Sequence, residues 1–306
     1  MSGVNSPKQS WGARMQIVTA LVAGGALAFG SFVHLTAEDE PVNAGPPKPA
    51  LAPAIDPASK QLTSKGWDLV WSDEFDGEGS LDTTKWSLLS GDRKGWGVGG
   101  LAYFGPENVR QTGGGQLVIS ATENKDGQKC WYGPCKYRSG RIQTAGRFDL
   151  AYGRFAARIK FPLGQGVFPA FWLQSKNQPY GSKKYAEIDI TEVVGSWPTA
   201  ILGAAHQSDK VIDTKAEFKQ PLDTRYHVVG VDWTPEHVRW WVNGKPYGTL
   251  KRYKGWSFNQ PMNIILSLQI GGDWQGPPDR TTRFPADMSV DWVRVYQPKN
   301  LQKTAP

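Results

Sequence analysis

Ala186-Glu187-Ile188-Asp189-Ile190-Thr191-Glu192-Val193-Val194 places three carboxylates inside a run of apolar, largely β-branched residues. Such a run is β-prone, and a buried strand does not hold three acids without a reason, because an unpaired charge is costly to bury. In a regular strand alternate residues share a face, so Glu187, Asp189 and Thr191 point one way and Glu192 points the other. A β-bulge between Asp189 and Glu192 removes the conflict: one extra residue shifts the phase and all three acids share a face. Glu187 and Glu192 then lie four strand positions apart, roughly 13 Å between Cα atoms. Side chains leaning inward over Asp189 bring the carboxyls to about 5 Å, the separation of a retaining glycosidase; an inverting pair stands wider to admit water. The competing reading, a solvent-facing strand with polar alternation, does not account for Glu192.

Outward from this segment, short β-prone runs alternate with turn signals, at 117–120, 154–160, 227–233, 238–242, 262–268 and 290–296. The run 154–160 alternates polar and apolar residues, as a strand wet on one face does. Val242-Asn243-Gly244-Lys245 carries the strongest two-residue hairpin signal. No long segment keeps a helical period. The expected fold is all-β, two packed antiparallel sheets.

The 306 residues are 39% hydrophobic and 21% charged, enough to bury a core in one large or two ordinary domains. Fourteen tryptophans exceed what a core alone needs. About half are expected in the core and the remainder on flat surfaces suited to stacking on sugars. The net charge of +7 is scattered, with Lys183-Lys184 and Lys251-Arg252 the densest groups. It reads as solvated surface with at most an affinity for anionic envelope polymers, and no nucleic-acid partner. Cys130 and Cys135 have no histidine near them in sequence, which leaves too few ligands for a metal. A short-loop disulfide in an exported protein is the expectation.

Residues 1–14 carry Lys8 and Arg14, residues 15–35 are largely apolar, and Glu38-Asp39-Glu40 follow. That charge order is the pattern of an export signal. Ala26-Leu27-Ala28 suits a signal peptidase, while the apolar length suits an uncleaved membrane anchor, so residues 1–37 are read as signal peptide or anchor. Residues 38–63 are a Pro-rich spacer, extended because proline forbids regular helix or sheet. Residues 64–298 are read as the folded domain that carries the acids, expected to be catalytic, and 299–306 as a tail. The protein is expected to be exported, either secreted or held on the outer face of the cytoplasmic membrane, and monomeric.

Glu-Ile-Asp-Ile-Thr-Glu resembles the Glu-x-Asp-x-x-Glu signature of glycoside hydrolase family 16, and is similar to its laminarinase-like, endo-β-1,3-glucanase branch. The likeness runs over roughly 66–297. It includes Trp71-Ser72-Asp73-Glu74-Phe75-Asp76-Gly77, Ser139-Gly140-Arg141-Ile142, Pro169-Ala170-Phe171-Trp172-Leu173, Gly271-Gly272-Asp273-Trp274 and Val290-Asp291-Trp292-Val293. The resemblance implies a concanavalin-like β-jelly-roll with a concave cleft that binds a β-linked polysaccharide. Glu187 would be the nucleophile and Glu192 the acid/base, with Asp189 hydrogen-bonded to the nucleophile. Three acids this close do not ionise independently, so one pKa is expected to rise.

By the same resemblance Trp172, Trp274 and Phe168 would stack on sugars, and Arg141 and Asn108 would bind sugar hydroxyls. His206 would stand near the acid/base. No cofactor is needed for catalysis. A structural calcium would be held by Glu74, the carbonyl of Gly115, and Asp291. The chain departs from the branch at Phe168, Ala186, Thr191 and Ser267, where Trp, Gly, Met and Asn are usual. These departures leave a galactan, a mixed-linkage glucan or a transglycosylase outcome beside β-1,3-glucan, and a non-catalytic glucan-binding sandwich as the reading from another class.

Overall fold

The computed structural model describes residues 66–299, apart from 177, 179–181, 208 and 209. The segments read as leader and spacer, and the tail beyond Lys299, lie outside the described residues. All described residues belong to one compact unit.

Among the described residues the chain is strand and loop with three short 3-10 turns. An eleven-stranded and a seven-stranded sheet are present. Their pairs are antiparallel except for Ala102–Phe104 beside Tyr137–Ser139. The seven-stranded sheet, which holds the acids, runs in the order Lys210–Glu217, Ala200–Gln207, Ala186–Glu192, Val167–Ser175, Met262–Ile270, Arg141–Gln143 and Ser87–Leu88. The larger sheet backs it, with Gly153–Lys160 and Ala286–Pro298 at its centre.

Position in the sheet explains composition. Met262–Ile270 lies inside the sheet and is buried at every residue, with Ile264, Leu266 and Leu268 turned to the core and Asn263, Ser267 and Gln269 on the opposite face. Lys210–Glu217 is an edge strand with Lys210, Asp213, Lys215 and Glu217 exposed, and charge on an edge discourages pairing with another chain. Between the sheets lie Phe155, Trp233 and Trp240 from one side and Phe171, Ile188 and Leu266 from the other, all essentially without solvent contact. Burying each such side chain contributes about 1.5–3 kcal/mol, which offsets the entropy of ordering the strands. The hairpin after Val242 has Asn243 at φ 49° and Gly244 at φ 75°, the two positive φ values of a turn that matches strand twist.

Candidate active site

The three acids share one face, and both neighbouring strands show it independently. On one side Glu187, Asp189 and Glu192 lie opposite His206, Ala204 and Leu202; on the other they lie opposite Gln174, Trp172 and Ala170. Each set of partners is spaced by two residues, so it lies on a single face of its strand. The acids are spaced by two and then three, and the register shift between Asp189 and Glu192 absorbs the extra residue.

A bulge leaves backbone groups outside the ladder, and buried ones need partners. Here the backing sheet supplies them. Trp240 donates its indole N–H to the Asp189 carbonyl at 2.8 Å, and the Tyr247 hydroxyl lies 3.5 Å from the Ile190 carbonyl. The Trp240 ring comes this close because residue 203 is glycine: a Cβ there would stand 2.5 Å from the ring.

Burial sets the charge states. Glu187 is pushed up to about 7 by desolvation and then by Asp189; His206, the Tyr185 hydrogen bond and Arg141 oppose the rise. Asp189 is pushed to about 8, by burial and then by the charge of Asp213. Glu192 is driven well above the usual range by burial, then by Asp189. Its cross-strand neighbours, Ala170 and Leu202, offer no polar atom of their side chains. His206 opposes the rise of both acids, but only Glu187 also has the Tyr185 hydroxyl and Arg141 beside it, so Glu187 releases its proton before Glu192. Two acids whose surroundings push them apart can divide the work of a general acid and a nucleophile.

His206 Nε2 lies 2.9 Å from Asp189 Oδ2 and 3.8 Å from Glu187 Oε1. The register puts it opposite Glu187, and its charge also reaches Glu192, near which it was expected. Asp189 Oδ2 is buried and meets His206 as an ion-pair contact. The hydrogen bond to Glu187 comes from the Tyr185 hydroxyl, which donates to Oε2, and not from the expected Asp189. Gln174 in turn donates to the Tyr185 oxygen at 3.2 Å.

The expected aromatic residues divide into two groups. Arg141 is sandwiched between Trp96 and Trp172, its guanidinium 4.6 Å and 4.7 Å from the ring centres. Burial draws Arg141 down to about 10 against the attraction of Glu187, so it stays a cation at neutral pH. The Trp172 indole N–H points to Ser267 Oγ at 3.3 Å. Farther along, Phe168 meets Trp274 edge to face, and Trp274 meets Trp197 likewise, at 5.5 Å and 6.0 Å. Trp274 and Trp197 are 49% and 40% exposed, so their faces are open to a ligand, whereas six other tryptophans are buried framework.

Two expectations are corrected. Asn108 does not reach a sugar site: it is buried, and its amide donates to the Ser120 carbonyl of the backing sheet at 2.8 Å. The carboxylates of Glu74 and Asp291 do not converge on a cation. Glu74 grips Arg294 with both oxygens, at 2.9 Å and 2.7 Å, and Asp291 pairs with Arg158. Gly115 does lie beside Glu74, since a Cβ on it would sit 4.0 Å from the Glu74 carbonyl oxygen and 3.6 Å from Asp76 Oδ1. The two-carboxylate clip does not fit, and any calcium here would meet Glu74 through its carbonyl. Cys130 and Cys135 form a disulfide that closes the hairpin of Lys129–Cys130 and Gly133–Pro134.

Sequence reasoning alone does not reach Tyr185, Gln174, Trp96 or Trp197. For Tyr185 a signal was present, since the residue two before Glu187 shares its face. For Trp96, in an irregular 3-10 turn, and Trp197, in a loop, no periodicity applied.

Comparison with known proteins follows this geometry. Residues 102–294 match the family model described as glycosyl hydrolases family 16. The chain is 36% identical over 252 residues to a beta-glucanase of Rhodothermus marinus, covering 76% of this chain and 85% of that protein. It is 30% identical over 260 residues to glucan endo-1,3-beta-glucosidase A1 of Niallia circulans, covering 76% of this chain but only 38% of that longer protein. The catalytic domain of an endo-1,3-beta-glucanase (laminarinase) from Thermotoga petrophila RKU-1 has a similar structure, with TM-score 0.71 and 34% identity, over 76% of this chain and 99% of that one.

Proposed function

Because the chain belongs to glycosyl hydrolases family 16, a family of retaining enzymes, we infer that its cleft cuts β-1,3-glucan internally. The observation that carries the mechanism is the double register: strands on both sides of Ala186–Glu192 place Glu187, Asp189 and Glu192 on one face. Glu187 attacks the anomeric carbon while Glu192 gives its proton to the departing glycosidic oxygen. Water then attacks the same carbon, Glu192 takes back a proton, and the Glu187 carboxylate is released with the anomeric configuration retained. Burial, with Asp189 packed between them, holds both Glu187 and Glu192 above the usual carboxylate range. Trp172 and the Phe168–Trp274–Trp197 group offer ring faces to successive sugars, and Arg141 supplies guanidinium donors beside the nucleophile.

The substrate is tested by product formation on laminarin, mixed-linkage glucan, β-galactan and agarose, with Glu187→Gln as control. Oligosaccharides from laminarin that disappear in the variant support the reading. Activity on a galactan alone keeps the mechanism, moves the substrate, and makes Phe168 and Ser267 the first residues to exchange. A folded wild type silent on all four would favour a glucan-binding protein. The product anomer, read by NMR before mutarotation, should be β; an initial α product would end the retaining assignment.

Export through residues 1–37, a spacer at 38–63 and a monomeric state belong to the same proposal. The size and N-terminus of the exported chain, and its sedimentation, test them. A calcium near Gly115 and the Glu74 carbonyl is proposed as a stabiliser only. Chelation should lower the melting temperature, and an unmoved melt removes the ion from the account.

A further inference from the structure

Tyr185 is almost fully buried, and its hydroxyl faces the nucleophile, not bulk solvent. Three facts constrain what it does. Its O–H donates to Glu187 Oε2, and its oxygen accepts from Gln174 Nε2, so the proton is aimed at the carboxylate. Burial and the adjacent carboxylate push the phenol far above its ordinary value, so it remains a donor at every pH at which the protein is folded. On the other side, Glu187 Oε1 has His206 Nε2 at 3.8 Å, beyond hydrogen-bonding distance, and is free to react.

We propose that Tyr185 is a positioning residue for the nucleophile: it holds Glu187 Oε2, presents Oε1 as the attacking atom, and stabilises the carboxylate each time that charge reappears. This rests on the reading of Glu187 as nucleophile. In the first step the bond from Oε1 to the anomeric carbon forms as the glycosidic bond breaks, and the Glu192 proton goes to the leaving oxygen. Oε2 becomes the ester carbonyl and keeps the Tyr185 hydrogen bond. In the second step water forms its bond to the anomeric carbon and gives a proton to Glu192. The bond to Oε1 breaks, its electron pair returns to the carboxylate, and Tyr185 again meets a full negative charge. Tyr185 keeps its own proton throughout. The hydrogen bond is strongest on the charged form, so it favours ionisation of Glu187 and departure of the enzyme from the sugar.

The test compares wild type, Tyr185→Phe and Gln174→Leu in two measurements. In the first, kcat/KM on laminarin is followed against pH. In the second, the Glu187 carboxyl carbon is titrated by 13C NMR without substrate, assigned by its absence in Glu187→Gln. A hydrogen bond to a charged group corresponds to about one to two pH units. The Glu187 titration and the acid limb should therefore move up by about one unit in Tyr185→Phe. Gln174→Leu should move them in the same direction and by less. A merely packed tyrosine would change stability without moving either pH value. An unmoved Glu187 titration in folded Tyr185→Phe overturns the proposal. If that variant does not fold, an unmoved titration in Gln174→Leu overturns it instead. A wild type inactive on every glucan, with the Glu187 titration still moving, would sink the substrate reading and leave the role of Tyr185 standing.

Discussion

Replacing Glu187 with Gln should abolish turnover and yet make the protein more stable, by an amount that depends on pH. Glu187 titrates near 4.5 in an unfolded chain and is pushed up to about 7 when folded, chiefly by burial. Between those pH values the folded form holds a proton that the unfolded form has released. Stability therefore falls as pH rises through that window, and the whole cost is present above about pH 7. About 2.5 pH units corresponds to about 3 kcal/mol. Gln has the shape and neutrality of protonated Glu, and it can still accept from Tyr185. The variant and the wild type should melt together near pH 4.5 and diverge to about 3 kcal/mol by pH 8. Asp189 and Glu192 titrate in both proteins, so to first order they cancel. For a domain of this size the gap is about 6–12 °C in melting temperature. Calorimetry or circular dichroism of both proteins from pH 4.5 to 8.5 reads it directly. A gap that is the same at every pH, or a wild type that melts higher at pH 8, would refute burial as the source of the Glu187 shift.

Glu192→Ala should lose activity by orders of magnitude, and added azide should restore part of it as a β-glycosyl azide. An α-azide would contradict retention, because the nucleophile captures the sugar on one face and azide replaces water on the other. Trp240→Phe removes the donor to the Asp189 carbonyl and should cost about 1–3 kcal/mol by denaturant unfolding. Its activity should fall further than that of an equally destabilised core variant such as Val231→Ala, because the bulge that aims Glu192 loses its support; equal losses would discount the anchor. Cys135→Ser opens a short loop and should cost no more than about 2 kcal/mol, so a larger loss would mean that the hairpin supports the body of the domain.

How much was legible before any fold was seen depended on how local the cause was. The alternation of apolar residues announces a β sandwich, because strand period is a property of neighbouring residues. Asn243-Gly244 announces its hairpin, because only a residue tolerant of positive φ fits there. The acids of 187–192 could be phased by arithmetic: three carboxylates and one misplaced parity imply a bulge. Tyr185 was missed, although standing two residues before Glu187 gives it the same parity.

Other features arise only when distant segments meet. Glu74 and Asp291 look alike as exposed acids flanked by apolar residues, and nothing local says that Arg294 and Arg158 will take them. Asn108 resembles a sugar ligand until Ser120 of the backing sheet takes its amide. The bulge is implied by residues 186–194, but its anchor, Trp240, lies 51 positions from Asp189 and reaches it through the space left by Gly203. The order in which the acids ionise is likewise tertiary. Desolvation and the placing of His206, Tyr185, Arg141 and Asp213 set it, and these come from several strands and loops. The sequence by itself determined which chemistry was present and on which face, since side-chain parity is local. Only the folded sheets decided which acid keeps its proton, because charge states depend on what surrounds a group in three dimensions.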